Sequence, residues 1–354
     1  MLLEALRAVH FRNLAATSLV PSARFNVIAG ENGQGKTNLL EAIYLAGTLR
    51  SFRTRSTEEL IAWSETEAQV AARVLRGDVE RVYEIELTAR RRTARLDGKV
   101  PRSVGDYFGD FNVVLFAPED LRVPRGSPGG RRRFLDRSVF NREVGFLADA
   151  QRFMRVLRSR NVLLRGPDPD AALLDVYDVQ LADAGARVLA ARRRYLAELA
   201  PRFAAAYEAI TKSGLGATLR YEASVADDVL APALAASRRR DLARRQTHVG
   251  PHVDDLIFLL DGRAAQAYAS QGQLRALVLA WKTAEMELLR AAHGDAPVLL
   301  LDDVSSELDE RRNAFLFEFL ARIECQCFVT TTHPRHVLVT ENRQDFHIVG
   351  GCLQ

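Results

Sequence analysis

The chain has 354 residues, of which 47% are hydrophobic and 27% are charged, and its formal net charge is +4. This is the composition of a folded globular protein with room for about two domains, and it excludes an intrinsically disordered chain. No apolar stretch reaches the roughly 20 residues that a membrane-spanning helix needs, and acidic Glu4 lies where a secretory signal would be basic, so we expect a cytoplasmic protein without a membrane partner.

The first informative segment in chain order is a glycine-rich motif after a short apolar strand, which is expected over residues 25–29. Here the sequence matches G-x-x-x-x-G-K-[ST] at every fixed position, and the helix that should follow completes the context of a phosphate-binding P-loop. The expected ligand is a nucleotide, ATP, with Mg²⁺. Its predicted binding residues are Gly30, Glu31, Asn32, Gly33, Gln34, Gly35, Lys36 and Thr37.

Composition supports this interpretation of Lys36. The chain has 49 basic residues, yet lysine occurs only at positions 36, 99, 212 and 282. A compact ammonium with three donors fits inside a phosphate cradle, whereas a planar guanidinium does not. We therefore expect Lys36 to reach the outer phosphates and the hydroxyl of Thr37 to bind Mg²⁺.

The middle of the chain changes character. The N-terminal third alternates apolar and polar residues, as at 81–87, which indicates antiparallel strands. From 130 to about 245, Ala, Leu and Arg dominate and predict short antiparallel helices, which the Gly-Pro-Asp-Pro-Asp segment at 166–170 interrupts.

Strands are expected again in the last third, at residues 256–260, 298–301 and 327–330. The last two are short and continuously apolar, as buried parallel strands are. Cys325 and Cys327 share one face of such a strand, so packing rather than redox or metal chemistry is expected of them. We predict an α/β fold in which a nucleotide-binding domain comes from both chain ends, 1–120 plus 248–354, and a helical lobe is inserted at 121–247.

Two carboxylates end the apolar strand at 298–301. In P-loop proteins the first acid at such a position, here Asp302, holds Mg²⁺, and the second, here Asp303, can orient or deprotonate the attacking water. Farther upstream, Ser270, Gly272 and Gln273 open a helix whose free N–H groups would bind an anion. A helix cap is the simpler alternative for this serine.

The order of these motifs resembles that of the ATP-binding-cassette family. Residues 270–273 stand where that family has its signature, residues 305–309 where it has its D-loop, and His333 where it has its switch histidine. The resemblance implies a cassette-type ATPase head with His333 acting beside Asp302 and Asp303. It also implies that the signature of one copy completes the ATP site of the other, so that ATP holds a homodimer together.

Longer segments resemble the RecF family of bacterial DNA-repair ATPases. They are Phe-Arg-Asn-Leu at 11–14, Arg-Ser-Phe-Arg-Thr at 50–54, Phe-Ala-Pro-Glu-Asp-Leu at 116–121 and Gly-Pro-His at 250–252. The resemblance adds Arg12 to the nucleotide-binding residues. It implies recombinational repair and replication restart, with double-stranded DNA near single-strand junctions, RecR and RecO, and indirectly RecA, as partners.

Hydrolysis is expected to be slow and DNA-stimulated. Asp303 replaces the glutamate usual in cassette ATPases, which places the carboxylate farther from a water at the γ-phosphate. A displacement of about 1 Å can cost on the order of 10²-fold in rate.

Clustered arginines are the candidate DNA contacts, although solvated helix faces in an Arg-rich chain give the same pattern. The predicted residues are Arg50, Arg53, Arg55, Arg131, Arg132 and Arg133. They would contact phosphates without reading sequence.

Three alternative functions were weighed. A small-molecule kinase would have an acceptor pocket and an acidic strand close to the P-loop in sequence, whereas Asp302 lies 302 − 36 = 266 residues after Lys36. The ATPase subunit of a transporter would need a membrane partner. An SMC-like structural ATPase shares the same head but carries much longer arms than residues 130–245 provide.

Overall fold

The computed structural model describes residues 1–225, 230–303 and 307–354. This described part of the chain divides into two compact units, one formed by residues 1–121 with 285–354 and the other by residues 122–284. Within it, no helix combines the length and the apolar character needed to cross a bilayer.

Strands and helices alternate along the chain. The strands are β1 (Leu2–Phe11), β2 (Leu14–Leu19), β3 (Phe25–Ala29), β4 (Glu67–Arg76), β5 (Val79–Thr88), β6 (Arg92–Leu96), β7 (Val113–Phe116), β8 (Ala217–Glu222), β9 (Asp255–Leu260), β10 (Arg263–Ala264), β11 (Val298–Asp302), β12 (Cys327–Thr331), β13 (Arg343–Val349) and β14 (Cys352–Leu353). The α-helices are α1 (Lys36–Thr48), α2 (Val104–Tyr107), α3 (Pro128–Arg142), α4 (Phe146–Leu164), α5 (Ala171–Thr211), α6 (Leu230–Arg244), α7 (Ala265–Tyr268), α8 (Gln271–His293) and α9 (Glu310–Ile323). Short 3₁₀ helices occur at Glu58–Leu60, Pro118–Arg125 and Pro334–His336.

A six-stranded, mostly parallel sheet organises the first unit. Its order is β14-β13-β3-β12-β11-β7, with parallel pairing throughout except between β13 and β14. Every residue of β11 and β12 is buried, which explains the apolar runs at 298–301 and 327–329, and the two strands form the predicted parallel pair. Because the strands are parallel, the carboxyl ends of β3 and β11 lie on the same side of the sheet.

An antiparallel sheet of order β2-β1-β4-β5-β6 forms the other layer of this unit. Alternate residues of β4, including Val70, Ala72 and Val74, are buried in a core shared with Leu39 and Ile43 of α1. The strands therefore show the period of two that one buried face imposes. Helix α1, which begins inside the P-loop, is thus fixed by apolar packing.

The second unit is mainly helical, as predicted, but differs in two respects. Helix α5 has 41 residues and continues through Pro201, so it is not short; its Ala- and Leu-rich sequence favours helix strongly enough to carry it past the proline. Strand β8, which was not predicted, pairs antiparallel with β9. The predicted break between α4 and α5 is present.

The second boundary between the units lies at 284/285, not at the predicted 247/248. Strand β9 completes a sheet with β8, and the ring of Trp281 packs 5.0 Å from that of Phe134 and 6.1 Å from that of Tyr195. Residues 248–284 therefore join the inserted unit because their pairing partners and apolar contacts belong to it.

A fully buried arginine ties the helices of this unit together. Arg160 on α4 donates to Asp178 on α5 at 2.6 Å and to Asp241 on α6 at 2.9 Å, and Thr247 accepts a third bond at 2.8 Å. Burial of a guanidinium is tolerated because carboxylates compensate it.

Candidate nucleotide site

The P-loop connects β3 to α1 in a backbone form that requires glycine. Gly33 has φ 80° and Gly35, the N-cap of α1, has φ 116°, values that disfavour other residues. A Cβ on Gly35 would lie 2.8 Å from Asn13 Oδ1. Glu31 and Asn32 are exposed at the mouth of the loop, and the first N–H groups of α1 point out of the helix as an anion site.

The ammonium of Lys36 is folded over this loop. The residue is only 7% exposed, and Nζ donates to the carbonyls of Gly30 at 2.7 Å and Glu31 at 2.8 Å. Burial lowers the pKa of Lys36, and the charges of Asp303 and Asp302 oppose that shift. A buried ammonium beside open N–H groups is suited to bind a polyphosphate.

The predicted acidic pair lies against the P-loop helix. The hydroxyl of Thr37 donates to Asp302 Oδ1 at 2.8 Å, which joins the two motifs across most of the sequence. Burial raises the pKa of Asp302, and hydrogen bonds from Thr37 and Thr330 act in the opposite direction. A hydroxyl and a carboxylate at this distance are hard oxygen donors of the kind Mg²⁺ prefers, so the donor set fits that ion.

Sequence reasoning missed Thr330 of β12. It is fully buried, its hydroxyl donates to Asp302 Oδ1 at 2.8 Å, and it accepts the N–H of Asp303 at 3.0 Å. Asp303 itself has φ 50°. One signal was present in the sequence, namely the two threonines, Thr330 and Thr331, that end the apolar buried strand β12.

Arg12 is held by a carboxylate that sequence reasoning also missed. Nε and Nη2 of Arg12 each donate to Glu41 at 2.9 Å, and Glu41 has no exposed surface. Ser51 and Arg53 bind the same carboxylate. Glu41 lies on α1, so the predicted nucleotide-binding arginine is fixed to the P-loop helix.

A chain of side-chain hydrogen bonds links Arg53 to the P-loop. Arg53 Nη1 donates to Asn38 Oδ1 at 2.7 Å, Asn38 Nδ2 donates to Asn13 Oδ1 at 2.7 Å, and Asn13 Nδ2 donates to the carbonyl of Gly33 at 3.2 Å. The predicted DNA contact Arg53 is therefore connected to the phosphate loop. Arg50 and Arg55 are exposed nearby in sequence.

The turn between β13 and β14 braces the P-loop from the other side. The N–H of Gly350 donates to Gln34 Oε1 at 2.6 Å and the N–H of Gly351 to the Gln34 carbonyl at 2.9 Å. Gly351 has φ 81°, and a Cβ there would lie 1.9 Å from the carbonyl oxygen of Asn13. Gln34 is thus directed towards this turn.

Ser270 is the cap of α8. Its hydroxyl accepts from the N–H of Gln273 at 3.2 Å, and Gln273 Oε1 accepts from the N–H of Ser270 at 2.8 Å, which is a capping box. Ser270 is exposed and Gly272 is half-buried. In one copy of the chain Ser270 therefore caps α8, as the simpler alternative proposed. Its binding to the ATP of a second copy stays a prediction.

His333 is exposed after β12 and precedes a 3₁₀ helix. Its ring packs edge-on against that of His336, with 5.4 Å between the ring centroids. The backbone N–H of His333 donates to Thr331 Oγ1 at 3.0 Å. Ser305 and Ser306 of the predicted D-loop lie outside the described residues. The catalytic role of His333 stays a prediction.

The three consecutive arginines at 131–133 differ in how far they are buried. Arg131 is 3% exposed and binds Asp255 through Nε at 2.8 Å, and Arg132 is half-buried and donates to the Asp254 carbonyl. Arg133 is exposed. Two of the three predicted DNA contacts are therefore bonded to Asp254 and Asp255 at the start of β9, and the DNA assignment of the group stays a prediction.

Comparison with known proteins identifies the family. Residues 2–348 match the model of the RecF/RecN/SMC N terminal domain. The chain is 47% identical over 345 residues to the DNA replication and repair protein RecF of Myxococcus xanthus (strain DK1622), covering 94% of this chain and 91% of the relative. It is 42% identical over 341 residues to RecF of Geobacter sulfurreducens, with coverages of 94% and 93%.

Solved structures agree with the sequence comparison. The recombination mediator protein RecF with ATP, described as part of the RecFOR pathway, matches with a TM-score of 0.89 and 31% identity over 99% of this chain and 96% of that one. An Smc head bound to the C-winged helix domain of ScpA matches at 15% identity with a TM-score of 0.59 over 100% and 96%, so it shares the cassette-type head fold. The chain belongs to the RecF family of DNA replication and repair proteins.

Proposed function

We propose that this protein is an ATP-dependent DNA-binding protein of recombinational repair and replication restart that hydrolyses ATP slowly. The observation that carries the proposal is the hydrogen bond of 2.8 Å between Thr37 and Asp302 beside the buried Lys36. It joins a phosphate loop to an acidic strand end, which is the arrangement that phosphoryl transfer requires.

Each residue has a defined task in this site. Lys36 exchanges its bonds to the Gly30 and Glu31 carbonyls for the outer phosphates of ATP, and the free N–H groups of α1 bind the inner ones. Thr37 and Asp302 would hold Mg²⁺, which would supply neutralisation of phosphate charge when bound. Asp303 accepts the proton of the attacking water.

A second copy completes the site in this proposal. The exposed Ser270 and the start of α8 bind the γ-phosphate held by the partner's P-loop, which makes ATP the link in a homodimer. His333 then contacts the same phosphate. Support comes from the exposure of Ser270 and from the order of the motifs.

The ATP-bound dimer binds double-stranded DNA near single-strand junctions through arginine contacts to phosphates. Arg50, Arg53 and Arg55 are exposed, and Arg53 is linked to the P-loop through Asn38. With RecR and RecO the dimer helps to load RecA on gapped DNA. The RecFOR description of the solved relative supports RecR and RecO as partners.

Nucleotide binding is tested with a matched pair of lysine variants. Lys36→Met should abolish binding of a fluorescent ATP analogue, whereas Lys99→Met, an exposed lysine in a hairpin turn, should bind it like wild type. Retained binding in Lys36→Met would reject the nucleotide site.

DNA binding is tested with blunt, gapped and single-stranded substrates in ATP, a non-hydrolysable analogue or ADP, over a salt series. We expect the tightest binding to duplex-containing substrates with ATP. The slope of log binding constant against log salt concentration should become less steep in Arg50→Gln and Arg55→Gln, because each variant removes a phosphate contact. Equal binding in all nucleotide states would reject the ATP switch.

A further inference from the structure

The hydroxyl of Thr330 lies at the centre of the acidic strand end. Thr330 is paired with Asp302 in the register of β11 and β12. Its Oγ1 lies 2.8 Å from Asp302 Oδ1, 3.0 Å from the N–H of Asp303 and 3.4 Å from the Leu301 carbonyl. A hydroxyl has one proton and two lone pairs, so it donates to the charged and closer Asp302 while accepting from Asp303.

Thr330 is one of two buried threonines at the end of β12: the hydroxyl of Thr331 is bonded to the backbone of His333, whereas that of Thr330 is bonded to the acidic pair. Thr330 has no exposed surface, and every residue of β12 is buried. Buried parallel strands are normally built from aliphatic residues, and a valine has nearly the shape of a threonine. Burying a hydroxyl is unfavourable unless it forms hydrogen bonds, so the two bonds to the acidic pair account for this residue.

The first bond fixes the orientation of Asp302. Its Oδ1 receives hydroxyls from Thr37 on α1 and from Thr330 on β12, each at 2.8 Å. Two donors from different elements hold Oδ1 in place. Without Thr330, Thr37 would be the remaining side-chain donor to Asp302 among the described residues, and Thr37 is itself an expected ion ligand.

The second bond fixes the backbone at Asp303. This residue has φ 50°, in the left-handed region that residues other than glycine adopt infrequently. Such conformations persist where the surroundings enforce them. The N–H of Asp303 is bound by Thr330, so the same hydroxyl enforces the turn from which the second acid projects.

We propose that Thr330 is the positioning residue for both acids of the nucleotide site, orienting Asp302 towards the ion and holding the turn at Asp303. The inference rests on the proposed ATPase function, and it assigns to Thr330 no contact with the nucleotide. It predicts a defect specific to the ion and the chemical step.

The experiment compares Thr330→Val, which keeps the shape and removes the hydroxyl, with Thr330→Ser, which keeps the hydroxyl. Thr48→Val is the control, because Thr48 is a buried threonine on α1 whose hydroxyl donates to the Tyr44 carbonyl. Measured quantities are kcat, KM, the Mg²⁺ concentration for half-maximal hydrolysis, and the affinity for a fluorescent ATP analogue with Mg²⁺ and with EDTA.

Thr330→Val should lower kcat and raise the Mg²⁺ requirement by about 10-fold or more each, the usual effect of losing a residue that orients an ion ligand. Its nucleotide affinity in EDTA should equal that of wild type. Thr330→Ser should restore kcat and the Mg²⁺ requirement to within about 2-fold of wild type, and Thr48→Val should change only thermal stability.

Wild-type kcat and Mg²⁺ dependence in Thr330→Val would overturn the inference, as would equal defects in the serine and valine variants. Absence of hydrolysis in wild type would instead reject the proposed ATPase. In that case the gain in nucleotide affinity on adding Mg²⁺ still decides the role of Thr330, because it should be smaller in the valine variant than in wild type.

Discussion

Arg12 and Glu41 form a two-pronged ion pair, with Nε–Oε2 and Nη2–Oε1 distances of 2.9 Å. Arg12 follows β1 and Glu41 belongs to α1, so the pair ties the strand end to the helix that starts in the P-loop. Glu41 is fully buried and the side chain of Arg12 is 16% exposed. The pair therefore fixes the arginine in place before any ligand binds.

The first prediction concerns this pair. Glu41→Gln should lower the free energy of unfolding by about 3 kcal/mol, because it leaves the Arg12 guanidinium without its buried counter-charge. It should also weaken nucleotide binding. Urea unfolding measures the first effect and a fluorescent ATP analogue the second. Glu4→Gln, which removes a partly exposed pair with Arg73, should change stability by less than about 1 kcal/mol; equal losses in both variants would contradict the prediction.

The second prediction concerns the turn that braces Gln34. Gly351→Ala should lower nucleotide affinity by about 10-fold, because the added Cβ displaces Asn13 and with it the P-loop. Gly262→Ala is the matched control, since Gly262 has a similar φ of 76° but open space around its Cβ position. Isothermal titration with ATP separates them. Similar affinities in the two variants would mean that the brace does not set the loop.

The third prediction tests the composite site. Ser270→Arg should leave nucleotide binding intact and abolish ATP-induced dimerisation, because a large cation fills the space of the partner's γ-phosphate. Ser270→Thr keeps a capping hydroxyl and should still dimerise. Light scattering with ATP measures the molar mass, and a dimer of undiminished affinity in the arginine variant would reject the role in trans.

The fourth prediction tests the proposed base. Asp303→Asn should slow hydrolysis by about 10²-fold or more, since general-base contributions are of that size. The ATP-bound dimer should persist longer in consequence. Single-turnover kinetics with radiolabelled ATP measures the chemical step, and an unchanged rate would contradict the role of Asp303 as the base and favour His333.

The fifth prediction is a pH dependence of stability. Burial opposes ionisation of Asp255, but hydrogen bonds from Arg131 and from the Leu256 N–H, with the charges of Arg131 and Arg132, outweigh it and lower its pKa. A folded-state pKa below the unfolded one stabilises the protein fully above about pH 4, and this contribution disappears as the pH falls through the folded pKa.

Asp255→Asn should therefore lower the free energy of unfolding by about 2 kcal/mol at pH 7, and its difference from wild type should shrink below about pH 4. Urea unfolding at several pH values measures both. Asp168→Asn, an exposed carboxylate between α4 and α5, should follow wild type throughout. A difference that grows on acidification would contradict the sign.

Some features were fixed locally and could be predicted from the sequence. The P-loop needs glycines and Lys36 within eight consecutive residues, so its conformation depends on near neighbours. Strands β11 and β12 were recognisable because burial on both faces demands continuous apolar residues. Thr37 and Asp302 were each assigned to Mg²⁺ from their own motifs, and the structure places them in hydrogen-bond contact.

Other features depend on which distant segments become neighbours, and only the tertiary structure decided them. Nothing in the sequence distinguishes Glu41 from the other acidic residues. It binds Arg12, Ser51 and Arg53 because the fold brings these residues to α1. Arg131 was predicted to contact DNA, but the fold places Asp255 beside it and the two form an ion pair. The role of Thr330 follows from the register that places it opposite Asp302 in the pairing of β12 with β11, and strand register leaves no periodic trace in a sequence.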